Sequence, residues 1–142
     1  MTHFNHPKEL SPEAKKALAL LVDHGIPVMN QSVLLRGIND ESQVLEELFR
    51  KLVQQRVRPY YLLQADPVSG TGHLRTPLKV GLDIMQALQG RLSGIALPKF
   101  IIDTPGGKGK VQAQYDPIVK QAQGHTTLRT FRGELVDYID PP

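Results

Sequence analysis

Apolar residues recur at helical spacing in three stretches of this chain and run almost unbroken in three others. Ala14, Ala17, Leu18 and Leu21 form the first helical stripe, opened by Ser11-Pro12-Glu13 and closed by Gly25. Serine caps the free amides, proline suits the first turn, and an acid suits the positive end of the dipole. Pro27 to Leu35 then predicts a buried strand. Val44, Leu45, Leu48, Phe49, Leu52 and Val53 predict a second helix, with Asp40 and Gln43 as its capping pair. Arg58 to Gln64 predicts the next strand, followed by a loop from Ala65 to Arg75. Thr76-Pro77 opens a third helix with its face on Leu78, Leu82, Met85 and Leu88, ending at Gly90. Ile95 to Ile102 reads as extended, but Pro98 interrupts it, which predicts an edge or irregular strand. Leu128 to Phe131 and Glu134 to Tyr138 predict a hairpin turning at Arg132-Gly133.

Helices alternating with strands imply an α/β fold with parallel strands and right-handed crossovers. About three strands cannot close a barrel, so the pattern fits either a small α/β domain or the last portion of a larger barrel. His3, Asn5 and His6, just before the first helix, suit a loop that follows a strand further upstream.

Composition narrows the partners. The 142 residues carry a net charge of +3 that is scattered along the chain, with 6% aromatics. No basic patch interleaved with aromatics is present, which argues against nucleic acid. There is no cysteine, hence no disulfide, thiolate metal site or iron–sulfur ligand within these residues. No apolar run reaches membrane-spanning length and Met1 to His6 is not a signal peptide, so the expectation is a cytoplasmic protein without a membrane partner. The five histidines show no metal-ligand spacing, and no metal site is expected. His24 suits a helix C-terminus, and Tyr60-Tyr61 suits packing.

Candidate chemistry gathers where strands end. Asp103-Thr-Pro-Gly-Gly-Lys-Gly-Lys110 places an acid, three glycines and a lysine after an apolar run. Glycine permits close approach of the backbone to a ligand, and lysine can condense with a carbonyl cofactor. The stretch is compatible with a loop holding a phosphate-bearing aldehyde such as pyridoxal phosphate, or with a mobile basic surface loop. It is not a P-loop, because Val111 follows Lys110. Asp66 and Asp103 stand at two strand ends, suited to an ammonium group or to helix capping. Asn30-Gln31-Ser32 puts amides and a hydroxyl inside a strand.

Five ordered motifs carry a family resemblance. They are Thr2-His-Phe-Asn-His-Pro7, Asn30-Gln-Ser-Val-Leu-Leu-Arg-Gly-Ile-Asn-Asp40, Pro59-Tyr-Tyr-Leu-Leu-Gln-Ala-Asp66, Gly72-His-Leu-Arg-Thr-Pro77 and Asp103 to Lys110. Together, from Thr2 to about Tyr138, they resemble the lysine 2,3-aminomutase family. These are radical S-adenosylmethionine enzymes that also use pyridoxal phosphate and shift an amino group from C2 to C3. The resemblance implies that Lys110 forms the Schiff base with pyridoxal phosphate. It implies that Asp66 and Asp103 bind the side-chain ammonium of a lysine-like substrate. Gln31 and His3 fall in motifs near the family's S-adenosylmethionine pocket.

The fold so implied is the last portion of a radical-SAM-type parallel (βα) barrel. Residues 1–103 would be barrel, and 104–142 the glycine-rich cofactor loop and an extension with a β-hairpin. The departures are specific. Family members hold a [4Fe-4S] cluster with a Cys-x3-Cys-x2-Cys motif upstream, which these residues lack. Lys108 replaces a loop glycine, while Leu63 and Ala65 stand where relatives commonly show tyrosine and cysteine. The Glu41 region and the C-terminus lack the cysteines of an interface zinc site found in some members. The expectation is therefore the C-terminal portion of such an enzyme, inactive alone and needing a cluster-bearing upstream half or a homo-oligomer. The rivals are a relative that makes β-lysine for a translation elongation factor, and a non-enzymatic α/β module that binds an anion or a partner chain.

Overall fold

The computed structural model describes residues 1–141. Its main body alternates helix and strand: α1 (Pro12–Asp23), β1 (Met29–Leu34), α2 (Ser42–Gln54), β2 (Arg58–Gln64), α3 (Leu78–Leu88) and β3 (Lys99–Asp103). Strands β1, β2 and β3 lie in chain order and pair in parallel. A short strand, β4 (Lys110–Gln112), then folds back antiparallel on β3. The rest is a separate antiparallel sheet of β5 (Ile118–Ala122), β6 (His125–Arg129) and β7 (Leu135–Ile139).

The core occupies one face of the parallel sheet. Leu34, Leu62 and Phe100, from successive strands, share one buried cluster with Leu18 of α1, with Leu45, Leu48, Phe49 and Leu52 of α2, and with Ile84 and Leu88 of α3. All three helices therefore cover the same side. The stripe predicted for α2 is the one buried, with Leu45, Leu48, Phe49 and Leu52 fully excluded from solvent, whereas α1 buries only Leu18 of its predicted face and leaves Leu21 exposed, and α3 buries Ile84 and Leu88 and leaves Leu78 exposed. Helix α3 sits close: a Cβ on Gly81 would lie 2.1 Å from the Phe100 ring. The other face presents Gln31 and Val33 beside Tyr61 and Leu63, all half-buried. The register slips between Asn30 and Gln31, which lets Tyr60 and Tyr61 stack with ring centroids 3.9 Å apart.

Some boundaries differ from expectation. Asp40 and Gln43 do not cap α2: Glu41 is its N-cap, and the Asp40 carboxylate accepts the Gly37 amide instead. Thr76 does not cap α3 either, because Pro77 takes that position. The third strand begins only at Lys99, after Pro98, and it is interior because β4 pairs along its far side. Proline therefore delayed this strand without assigning it to an edge. The hairpin is as expected, with Thr130 and Glu134 closing the turn and Gly133 at φ 83°. Strand β5 extends the hairpin on its β6 side, while β4 joins β3 in the first sheet; both are short and exposed along their length, so no alternation marks them.

The second sheet hangs on α3. Phe131 lies over Gly90, Gln86 donates to the Phe131 carbonyl at 3.2 Å, and the Tyr115 hydroxyl donates to Asp83 at 2.7 Å. Its own residues are largely in solvent. Leu135, Val136, Tyr138 and Ile139 are all exposed.

Candidate functional site at the strand ends

The polar residues inside β1 tie down the N-terminal segment. Thr2 bridges in parallel to Asn30, its amide donating to the Met29 carbonyl and its carbonyl accepting from Gln31. Asn30 is 1% exposed, and its Oδ1 accepts from the Phe4 amide at 2.8 Å and the Thr2 hydroxyl at 3.1 Å. Its Nδ2 donates to the Phe4 carbonyl at 3.1 Å and to Ser32 Oγ at 3.0 Å. Ser32 donates to the same carbonyl at 2.7 Å. Buried Asn39 extends the lattice, donating to the Asn5 and Val33 carbonyls at 2.8 Å each. The Asn30–Ser32 anomaly thus resolves by strand period. Asn30 and Ser32 point to the core side and are structural, while Gln31 points to the open face.

This lattice lays the N-terminal segment along the outer edge of β1, with His3 and Gln31 each one residue past the Thr2–Asn30 bridge. His3 is exposed and Gln31 half-buried, and neither side chain has a hydrogen-bond partner among the described residues. His6 plays a different part. Its Nδ1 accepts the Lys8 amide at 3.1 Å while Glu9 accepts its own amide, a local cap on a short turn. His24 likewise ends α1, with Nδ1 2.7 Å from the Leu20 carbonyl.

Asp66, Asp103 and Lys110 come together at the other end of the sheet. Parallel pairing puts the C-terminal ends of β2 and β3 side by side, which brings Asp66 and Asp103 onto one cleft of about 240 Å³. Val33, Leu35, Leu63 and Leu74 supply its apolar wall. The volume falls just below the ~300–1,000 Å³ usual for small-molecule pockets. Between Asp103 and Lys110 the backbone makes a tight return. Thr104 donates to the Gly109 carbonyl from its amide (3.0 Å) and its hydroxyl (2.7 Å). Gly106, Gly107 and Gly109 take φ values of 75°, 69° and 102°, a left-handed run that side chains resist.

That return makes Asp103 and Lys110 direct cross-strand partners. Lys110 Nζ reaches both carboxylate oxygens of Asp103, at 2.5 and 2.7 Å. The two side chains remain 49% and 38% exposed, so the pair contributes at most about 1 kcal/mol and opens readily. Lys108, the second amine of the loop, has no ion-pair partner among the described residues. Tyr61 belongs to the same neighbourhood. Its hydrogen bond with Tyr60, then burial, then the charges of Tyr60 and Asp103 hold its phenol above the ordinary tyrosine value. Packing was the expectation for this pair, and the electrostatic tie to Asp103 appears only once β2 and β3 are in register.

The arrangement defines a mixed α/β protein with two carboxylates on one cleft at the ends of parallel strands, one of them paired with a lysine across the adjoining antiparallel strand. Comparison with known proteins gives it a family. A family profile described as lysine-2,3-aminomutase matches residues 85–142. L-lysine 2,3-aminomutase of Fusobacterium nucleatum is 47% identical over 140 residues, covering 99% of this chain and 33% of that protein. The enzyme of that name from Clostridium subterminale is 46% identical over 140 residues, covering 99% of this chain and 34% of that protein. Glutamate 2,3-aminomutase of Clostridioides difficile is 40% identical over 141 residues, with 99% and 33% covered. The chain spans about a third of the length of the curated relatives it matches. It belongs to the lysine 2,3-aminomutase family and corresponds to the C-terminal portion. No helix among the described residues is long and apolar enough to cross a membrane.

Proposed function

We propose that this chain supplies the cofactor-anchoring and substrate-reading part of an aminomutase that converts L-lysine to β-lysine. The observation that carries this reading is the Lys110 amine paired with Asp103 at the rim of the cleft that Asp66 also lines. The donor set fits pyridoxal phosphate: a reachable primary amine for its aldehyde, beside a carboxylate that stabilises the ammonium until condensation. Bound there, pyridoxal phosphate would supply a conjugated ring able to delocalise spin while nitrogen migrates from C2 to C3.

The chain's own groups have separable tasks. Lys110 holds the cofactor and must first shed its proton, since only the neutral amine is nucleophilic. Once Lys110 is discharged, Asp103 loses its internal cation and joins Asp66 in facing the cleft. Two carboxylates against an apolar wall suit the ammonium and methylene chain of lysine, whereas the carboxylate of glutamate would be repelled. This charge pattern favours lysine over the glutamate substrate named for the C. difficile relative. Gln31 and His3 would contact S-adenosylmethionine, a reading supported by their unpartnered side-chain polar atoms along β1.

The helices on one face and the strands in chain order suit an arc of a (βα) barrel, with Gln31, Tyr61 and Asp103 facing its interior. With no cysteine among the 142 residues, the [4Fe-4S] ligands come from outside them. The chain alone is then inactive, and an upstream cluster-bearing segment or a second copy completes the site in the cytoplasm.

The test is trapping. The folded chain is incubated with pyridoxal phosphate, reduced with borohydride and mapped by mass spectrometry. The expected adduct lies on Lys110, is lost in Lys110→Arg and is retained in Lys108→Arg. A folded sample with no adduct on Lys110, or with one on Lys108 alone, overturns the assignment.

A further inference from the structure

A second cleft, of about 460 Å³, opens beside the N-terminus of α3 and carries no acid. Arg36, Gln64, Arg75, Thr76, Pro77 and Leu78 line it. Four features of this cleft converge on one ligand chemistry. First, α3 begins without a side-chain cap, since the Pro77 side chain has no acceptor, so the Leu78 and Lys79 amides have no protein partner among the described residues, and the helix start lines the cleft at Pro77 and Leu78. Second, both guanidiniums lack an ion-pair partner among the described residues. Arg75 Nε donates to the Ala65 carbonyl at 3.2 Å, which orients the group and leaves both terminal nitrogens without a protein acceptor. Third, the backbone fixes Arg36 nearby, because its amide donates to the Leu74 carbonyl at 2.8 Å.

The fourth feature is independent of charge. Thr76 is only 6% exposed, and its hydroxyl has no hydrogen-bond partner. A buried hydroxyl left unpaired is costly, and such groups in folded proteins ordinarily find a partner. Gln64 is in the same state on one side: its Nε2 donates to the Thr76 carbonyl at 2.8 Å, while its buried Oε1 has no partner.

We infer that this cleft binds a phosphoryl group. Two guanidiniums, two amides and a hydroxyl present more donors than a carboxylate can accept. A phosphate with three terminal oxygens matches them, and a helix N-terminus is an established place for one. Gln64 Oε1 accepts from a P–OH or from a hydroxyl of the group that carries the phosphate. The site stands apart from Lys110 and does not depend on it. Gln64 lines both clefts and forms the wall between this one and the Asp66–Asp103 cleft. The ligand is either free inorganic phosphate or a phosphate ester.

The experiment is an amide NMR titration of the full chain at constant ionic strength, with inorganic phosphate in one arm and pyridoxine 5′-phosphate, which has no aldehyde, in the other. The expected result is a saturable shift of the Leu78 and Lys79 amides. Affinity falls at least about tenfold in Arg36→Ala and in Arg75→Ala. Thr76→Val weakens binding without lowering the thermal midpoint, because its hydroxyl has no intramolecular bond to lose. Lys110→Ala leaves the phosphate response intact, so this inference and the cofactor assignment fail separately. Tighter binding of the ester identifies the phosphate as the handle of a larger molecule, and equal or weaker binding identifies the free anion. The proposal is overturned if no saturable shift occurs at the first turn of α3, or if Arg36→Ala leaves the affinity unchanged. The Arg36 variant keeps the test decisive even if Arg75→Ala, which frees the Ala65 carbonyl, unfolds.

Discussion

Asn30 and Gln31 are neighbours with opposite duties, and period two along a strand is the reason. The sequence marked the trio Asn30-Gln31-Ser32 as unusual, but amides in a strand do not announce which face they take. Only the core's position on one side of the sheet separates the buried structural pair from the open-face glutamine. Asn30→Ala is expected to destabilise the chain by about 2–3 kcal/mol, since it leaves the Phe4 amide without its buried acceptor and removes one of the two donors to the Phe4 carbonyl. Urea denaturation measures the loss, and faster amide exchange at Phe4 localises it. The Asp103–Lys110 contact was half legible: a strand end, three glycines and a lysine drew attention to the loop. The pair itself depends on the Thr104–Gly109 clasp, whose geometry local composition does not specify.

Elements were read most reliably where a long apolar stripe had one period, as in α2. They were misread where a single residue type carried the inference. Pro98 suggested an edge, Thr76 suggested a cap, and pairing partners far along the chain decided otherwise. The contact of α3 with β3 gives a clear test. Alanine normally outperforms glycine in a helix by about 1 kcal/mol, yet Gly81→Ala drives a Cβ to 2.1 Å from the Phe100 ring. Overpacking of this kind costs about 1–3 kcal/mol, so the variant is expected to melt earlier. A higher thermal midpoint would show that Phe100 moves aside freely.

The attachment of the second sheet to α3 should depend on pH. Hydrogen bonds from Lys79 and then Tyr115 hold the Asp83 carboxyl below its ordinary range. A folded value lowered relative to the unfolded one contributes stability above the unfolded value. That contribution is lost as pH falls through the depressed folded value. Acid is therefore expected to free the Tyr115 segment, seen as faster proteolysis after Tyr115, and Tyr115→Phe should remove most of the pH response.

At the scale of the whole molecule the two sheets obey different rules. The parallel sheet concentrates nearly all buried apolar residues, while the second exposes Leu135, Val136, Tyr138 and Ile139. Ile139 is 73% exposed, so Ile139→Lys is expected to change stability by no more than about 0.5 kcal/mol. Binding of an apolar fluorescent dye should nevertheless fall, because β7 exposes four apolar side chains and β5 exposes Ile118 and Val119 in the same sheet. The sequence foretold its hairpin through Gly133, but not a sheet with so little burial. Alternation of polar and apolar positions tells which face differs, not whether anything covers it.

Asp103 can neutralise one cation at a time, and that makes the Asp103–Lys110 hairpin an interlock. Whatever removes the charge on Lys110 vacates the carboxylate and tightens the cleft's hold on an incoming ammonium. By reciprocity, an ammonium competing for that carboxylate makes discharge of Lys110 easier by the same factor. Under the proposed function, six residues of glycine-rich backbone thus couple the readiness of the amine to the presence of an ammonium-bearing substrate, with no moving domain between them.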